Sequence, residues 1–315
     1  IETVAYAIAV SLLLTVPYAG GRIFSLSFSN IIILVLANMA IFGSLAYLFT
    51  IGNKWARIGI LPFIMAVFLG SSTEGSWVKA VMNYSPLPWA YSFYYLKYLF
   101  IIIPGSLAGE YLKEWLQNKT LVVSMPAERR LTPFILLVSV GIIILNLYGL
   151  YTRQLVLNLI GTVILLSCLY CLLKFPGNNS VYWRKLFVAG AYLLMLGLFF
   201  EAYEGGIRKD HSTYSYYFVT SGLAFMAMIV FSILCDVYRL KILTRPLEMA
   251  GQNPMIAYVA PQLLVMPLIN LIGLGEYLSL LNQNAWMGFL RGVIVTTLAL
   301  LVAILFTRLK CFWRT

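Results

Sequence analysis

The chain has 315 residues, of which 61% are apolar and only 10% charged, and its mean hydropathy is +0.88. A soluble domain carries roughly 25% charged residues, so a water-soluble enzyme or binding module is excluded. The net charge of +11 is therefore read connection by connection as membrane sidedness, and no nucleic-acid partner is expected.

Windows of about 20 mostly apolar residues, the length that crosses roughly 30 Å of hydrocarbon, recur at 1–17, 31–50, 91–108, 132–151, 155–173, 186–204, 214–235, 254–274 and 286–307. A shorter run at 58–70 makes a tenth. None shows the polar/apolar alternation of a barrel strand, so each is read as a helix. The expected fold is all-α: a polytopic integral membrane protein of about ten transmembrane helices, forming one transmembrane domain over 1–315. Because Ile1 opens directly into an apolar run with no charged leader, the chain is expected to be the C-terminal portion of a larger membrane protein.

Between these runs, the connection 70–90 carries Trp77, Tyr84 and Trp89 as interfacial anchors, and Pro86 and Pro88 break any helix there. The polar stretch 109–131 reads as a helix continued out of the membrane. Cys168 and Cys171, three apart in an apolar run, read as small buried hydrophobes rather than a redox pair.

With ten crossings, alternate connections and the tail hold 15 of the 22 Lys and Arg, among them Lys54, Arg57, Lys113, Arg129, Arg130, Lys185, Arg239, Lys241, Arg245, Arg308 and Lys310. The intervening connections hold five: Arg22, Lys79, Arg153, Arg208 and Lys209. This bias places both ends of the chain in the cytoplasm. A re-entrant 58–70 would blur the pattern, so that run is read as a crossing.

A charge in or at the mouth of a membrane is costly and marks a functional candidate. On the side assigned outward, Glu201, Glu204, Asp210 and the lone histidine His211 cluster around Gly205-Gly206. They are weak catalytic candidates, suited to holding a polar substrate or moving a proton; an ordinary solvated loop is the alternative. Lys97, among Tyr91, Tyr94, Tyr95 and Tyr98, can snorkel to the interface, and Arg291 must find water, lipid phosphate or a carboxylate such as Glu201 or Glu204, which sequence alone does not pair with it.

On the inward side, Arg239, Lys241 and Arg245 precede Gly251, Gln252, Asn253 and Pro254. Asn253-Pro254 reads as the N-cap and first residue of a helix, and a helix start beside three cations favours a phosphate. A well-capped membrane helix flanked by cations that meet lipid headgroups explains the same residues.

Five stretches resemble the bacterial form of the heparan-α-glucosaminide N-acetyltransferase family: "IRKDHSTYSYYFVTSGLAF", "DVYRLKILTRPLEMAGQNPMIAYV", the terminal "FTRLKCFWRT", "GSWVKAVMNYSPLPW" and "YYLKYLFIIIPGSLAGEYL". The resemblance implies transfer of acetyl from cytoplasmic acetyl-CoA across the membrane to the amino group of a glucosamine-type sugar. It also implies that Arg239, Lys241, Arg245, Gly251, Gln252 and Asn253 hold the acetyl-CoA, with membrane lipids as further partners and a homo-oligomer left open. The family's active-site histidine lies in an N-terminal portion near Asp-x-x-Arg-Gly, a stretch not found in these residues, so His211 is not its counterpart and the base is expected upstream of residue 1. A sugar or peptidoglycan-fragment permease is the alternative function.

Overall fold

The computed structural model describes residues 2–17, 21, 31–118, 126–175, 178–209 and 211–313. All regular structure among them is helical. In chain order the helices are α1 (Glu2–Thr15), α2 (Ile31–Phe49), α3 (Lys54–Ser71), α4 (Trp77–Asn83), a 3₁₀ segment (Phe93–Tyr98) leading into α5 (Leu99–Asn118), α6 (Pro126–Tyr151), α7 (Leu155–Leu172), α8 (Asn178–Glu204) and α9 (Tyr214–Ser232). After a π-helical turn at Ile233–Val237 come α10 (Lys241–Gly251), α11 (Pro254–Leu271, with a π turn at Pro261–Val265), α12 (Gly275–Leu280) and α13 (Ala285–Arg308).

Eight of these, α2, α3, α6, α7, α8, α9 with its π turn, α11 and α13, are long and apolar enough to cross a bilayer, and the protein is a polytopic membrane protein. The two remaining expected spans differ for visible reasons. α1 has 14 residues. The 91–108 span is displaced: regular helix begins only at Leu99 and runs to Asn118 through Glu110, Lys113 and Glu114, so the apolar and charged halves share one rod. The short run at 58–70 belongs to the 18-residue α3.

The contacts group into two compact units, 1–230 and 231–315, where the sequence reads as one domain. In the first, α5 packs on α2, α3 and α8, and α6 with α7 forms the most extensive helix pair. Inside that pair the Asn146 amide donates to the Thr162 hydroxyl at 3.0 Å and accepts from the Asn158 amide at 3.2 Å, a polar seam of the kind that joins helices where hydrophobicity offers no preference. α8 and α9 meet backbone to backbone: a Cβ on Gly222 would lie 2.7 Å from the Leu194 nitrogen, and one on Gly197 2.7 Å from the Val219 nitrogen. Cys168 and Cys171 are free and lie on the exposed side of α7, correcting the buried reading. A small apolar side chain facing hydrocarbon carries no desolvation cost, so nothing drives it inward.

The residue that most constrains this unit is Arg57, 1% exposed. Its Nη1 lies 2.8 Å from Glu110 Oε1 and donates to the Ser106 hydroxyl at 3.1 Å; Nε donates to the Thr50 hydroxyl at 3.1 Å, and the guanidinium stacks over Tyr47 at 4.3 Å. Around this buried pair, Glu114 accepts from Lys54 at 2.8 Å and from Lys185 at 2.6 Å, tying α3, α5 and α8 at one end. The bonds from Lys185 first and Lys54 second hold the Glu114 carboxyl below its usual range.

In the second unit α13 packs on α10 and α11, around a core of Ala260, Val265, Ile269, Leu278 and Ala299.

Removing one partner of a buried pair leaves an uncompensated charge, whereas replacing both by apolar groups is close to neutral. Glu110→Ala is therefore expected to destabilise the protein by about 3–5 kcal/mol, and Arg57→Met combined with Glu110→Leu to recover most of that loss. Unfolding of the purified protein by denaturant titration in detergent checks both.

Candidate functional site

The turn from α8 to α9 builds a polar constellation. Gly205 (φ 67°) and Gly206 (φ 146°) end α8 in conformations that glycine alone adopts freely. The four free N–H groups that open α9 then need acceptors. Glu204 supplies two: its carboxylate oxygens accept from the backbone N–H of Tyr214 and of Ser215, both at 2.8 Å. The Thr213 hydroxyl accepts from Tyr216 N–H at 3.4 Å and from Arg208 N–H at 3.1 Å.

Glu201, one turn earlier, is 1% exposed and is paired with Arg153, which reaches across from the α6–α7 turn and also donates to the Gly205 carbonyl at 3.4 Å. Arg153 is half-exposed, so the guanidinium answers a sunken carboxylate while keeping its own contact with water.

Lys97 does not snorkel outward. It donates to the Ser212 carbonyl, with its ammonium 4.7 Å from the centre of the Tyr214 ring and 5.4 Å from that of Phe68. The carbonyl and two ring faces offer it an electron-rich lining in place of the headgroup region. The Ser212 hydroxyl is hydrogen-bonded to the Tyr217 hydroxyl at 2.7 Å and to the Tyr94 hydroxyl at 3.3 Å. Beside it the Tyr214 hydroxyl is buried with no partner among the described residues.

The structure thus brings Glu201, Glu204 and the 211–213 segment together, but gives the two carboxylates separate tasks, one an ion pair and one a helix cap. His211 is exposed, with φ 52°; Asp210 lies outside the described residues. In the second unit, Arg291 donates to the Asn282 side chain at 2.8 Å. Arg153, Ser212 and Tyr217 were not singled out from the sequence. The available signal was that a glutamate inside a span needs a cation on a nearby turn.

The two ends of the first unit are far apart. Lys185 and Glu204 lie towards opposite ends of α8, about 28 Å apart at the helical rise of roughly 1.5 Å per residue, close to the thickness of the hydrocarbon layer. Contacts join residues that the loop count places on one side: Lys54 with Lys185 through Glu114, Arg153 with Glu201, and Lys97 with Ser212.

In the second unit Arg239, Lys241 and Arg245 are exposed, and their side chains have no hydrogen-bond or ion-pair partner among the described residues. Lys241 and Arg245 are one turn apart on α10, hence on one face. Gly251 and Gln252 are exposed as well. Asn253 differs from expectation: it occupies the N-cap position ahead of Pro254 but makes no side-chain cap. It is 0% exposed, its amide donates to the Cys311 carbonyl at 2.8 Å, and its oxygen accepts from Trp313 N–H at 3.2 Å. The C-terminal tail competes successfully for this side chain because it offers both a donor and an acceptor, where the helix start offers donors only. Lys113 and Arg130, the other inward cations, are exposed; the Arg129 side chain lies outside the described residues.

The family described as "Domain of unknown function (DUF5009)" matches residues 1–112. That region contains the "GSWVKAVMNYSPLPW" and "YYLKYLFIIIPGSLAGEYL" stretches and, with Tyr94 and Lys97, two members of the polar constellation. No curated protein and no solved structure matches the chain.

Asn253→Ala removes both bonds to the tail, each worth about 0.5–1.5 kcal/mol. Hydrogen–deuterium exchange is expected to show faster exchange at the 311–313 amides in the variant, with exchange across α3 and α5 unchanged.

Proposed function

We propose that the chain forms part of a transmembrane acyltransferase that moves acetyl from cytoplasmic acetyl-CoA to the amino group of a glucosamine-type sugar on the other side of a bacterial inner membrane. The observation that carries the donor half is the group of exposed cations Arg239, Lys241 and Arg245, unpaired among the described residues, followed by an unobstructed glycine at 251. CoA presents several phosphate charges, and cations not already neutralised by carboxylates are free to meet them. Gly251 and Gln252 complete the donor site; Asn253 acts indirectly, by holding the tail. The resemblance in the "DVYRLKILTRPLEMAGQNPMIAYV" stretch supports the same assignment.

On the acceptor side, Glu201 and Glu204 serve by shaping the turn after α8, which leaves His211 exposed to meet the sugar; Asp210 stays a candidate from the sequence alone. Transfer requires that a base first take a proton from the sugar's ammonium, because only the free amine has a lone pair to attack the thioester carbonyl. The resulting tetrahedral centre collapses with loss of the CoA thiolate, the nitrogen's surplus proton passes to that sulfur, and an amide and the CoA thiol are left. The resemblance assigns that base to the family's N-terminal portion.

Membranes containing the protein, supplied with labelled acetyl-CoA and glucosamine, are expected to form labelled N-acetylglucosamine. Vesicles that accumulate unmodified sugar instead would make the protein a permease. Charge reversal at Arg239, Lys241 and Arg245 is expected to raise the KM for acetyl-CoA by tenfold or more, about 1.4 kcal/mol, and to leave the KM for the sugar unchanged.

A further inference from the structure

We infer that α10 is an interfacial helix, lying in the membrane plane with its cations on the anionic phospholipid headgroups of the bilayer that the chain spans. It calls on the same three cations as the acetyl-CoA reading, with lipid phosphate in place of CoA phosphate, and stands without that reading.

Three observations carry it. The first is reach. The π turn ends at Val237 and α11 begins at Pro254, so only residues 238–253 join them, and 11 of these are the helix itself. The Thr307 hydroxyl donates to the Met249 carbonyl at 2.9 Å. Thr307 is one residue from the end of the apolar span Trp286–Arg308, so this bond holds the end of α10 level with the end of a span.

The second is the division of its faces. Lys241, Arg245 and Glu248 recur at helical spacing on one side; Ile242, Pro246 and Met249 recur on another, and Leu247 falls about 100° past Pro246, at the far edge of the broad apolar side. Packing on α13 does not use up the apolar side: Ile242 is 95% exposed and Leu247 is exposed as well. A helix this short and this charged cannot cross a bilayer, and an apolar face left open at the level where spans end meets the boundary between headgroups and acyl chains.

The third is charge and company. Arg239, Lys241 and Arg245 outnumber Glu248, and Arg308 and Lys310 follow Thr307 at the same level. The buried Asn253 clamp anchors the tail that bears exposed Phe312 and Trp313, and aromatic residues favour this interfacial region. Exposed cations beside exposed apolar and aromatic side chains fit a negatively charged lipid surface.

The test places a nitroxide on Ile242→Cys, in the full chain with its four cysteines changed to serine, reconstituted in vesicles of phosphatidylcholine alone or with phosphatidylglycerol. The same label on Leu247→Cys gives an independent reading. Dissolved oxygen is expected to reach both labels more readily than a water-soluble nickel chelate does, and phosphatidylglycerol to shift that ratio further towards oxygen. The shift is expected to vanish in the Arg239→Gln, Lys241→Gln, Arg245→Gln variant. Free access of the chelate to both labels, or a ratio indifferent to phosphatidylglycerol, overturns the inference. So does the same shift produced in phosphatidylcholine vesicles by added CoA but not by phosphatidylglycerol, which would make the basic face a site for soluble phosphates.

Discussion

A buried guanidinium sets the terms for the first unit. Only 1% exposed, Arg57 is cut off from solvent, so its charge has to be met by protein on every side. The answer comes from Glu110, Ser106, Thr50 and the face of Tyr47. These partners lie on α2, at its end, and on α5, while Arg57 itself is on α3, so satisfying one side chain brings three elements together. The neighbouring Lys54–Glu114–Lys185 chain adds α8. Such a network is weak evidence for stability as such, since apolar groups of equal volume would pack as well. Its effect is on registry, because the helices cannot slide without stranding a charge.

The other end of that unit follows the same rule by different means. Glu201 is met by an arginine from a neighbouring turn, Glu204 by the open N–H groups of α9, and Lys97 by a carbonyl and two rings. The Tyr94–Ser212–Tyr217 hydroxyls form a short polar line beside them. These three charged groups are engaged, whereas Arg208, Lys209 and His211 are exposed in the turn above. The framework is fixed and the contact surface is free, a division suited to a site on a membrane protein.

Composition and apolar run length made the helical, membrane-spanning character legible, because hydrocarbon imposes a minimum length that few sequences meet by accident. The placement of α3 as a full span was legible from the alternation of charge. The start of α5 was not: "YSFYYLKYLF" reads as one apolar run, but a 3₁₀ segment occupies Phe93–Tyr98, where Lys97 turns towards Ser212. Partners far apart in sequence were also hidden, since Arg153 and Glu201, or Asn253 and Trp313, are joined only by the fold. Asn253 shows the limit most directly. Its position before Pro254 was read correctly, whereas its side chain serves a segment some sixty residues later, and no local pattern encodes that choice.

The glycine contacts between α8 and α9 have a mechanical consequence. With Gly197 against the Val219 nitrogen and Gly222 against the Leu194 nitrogen, the two rods touch through main chain, and neither can rotate about its axis without driving a side chain into its neighbour's backbone. Any rearrangement that opens this unit must therefore carry α8 and α9 together as one stiff lever, with the hinges falling outside the pair.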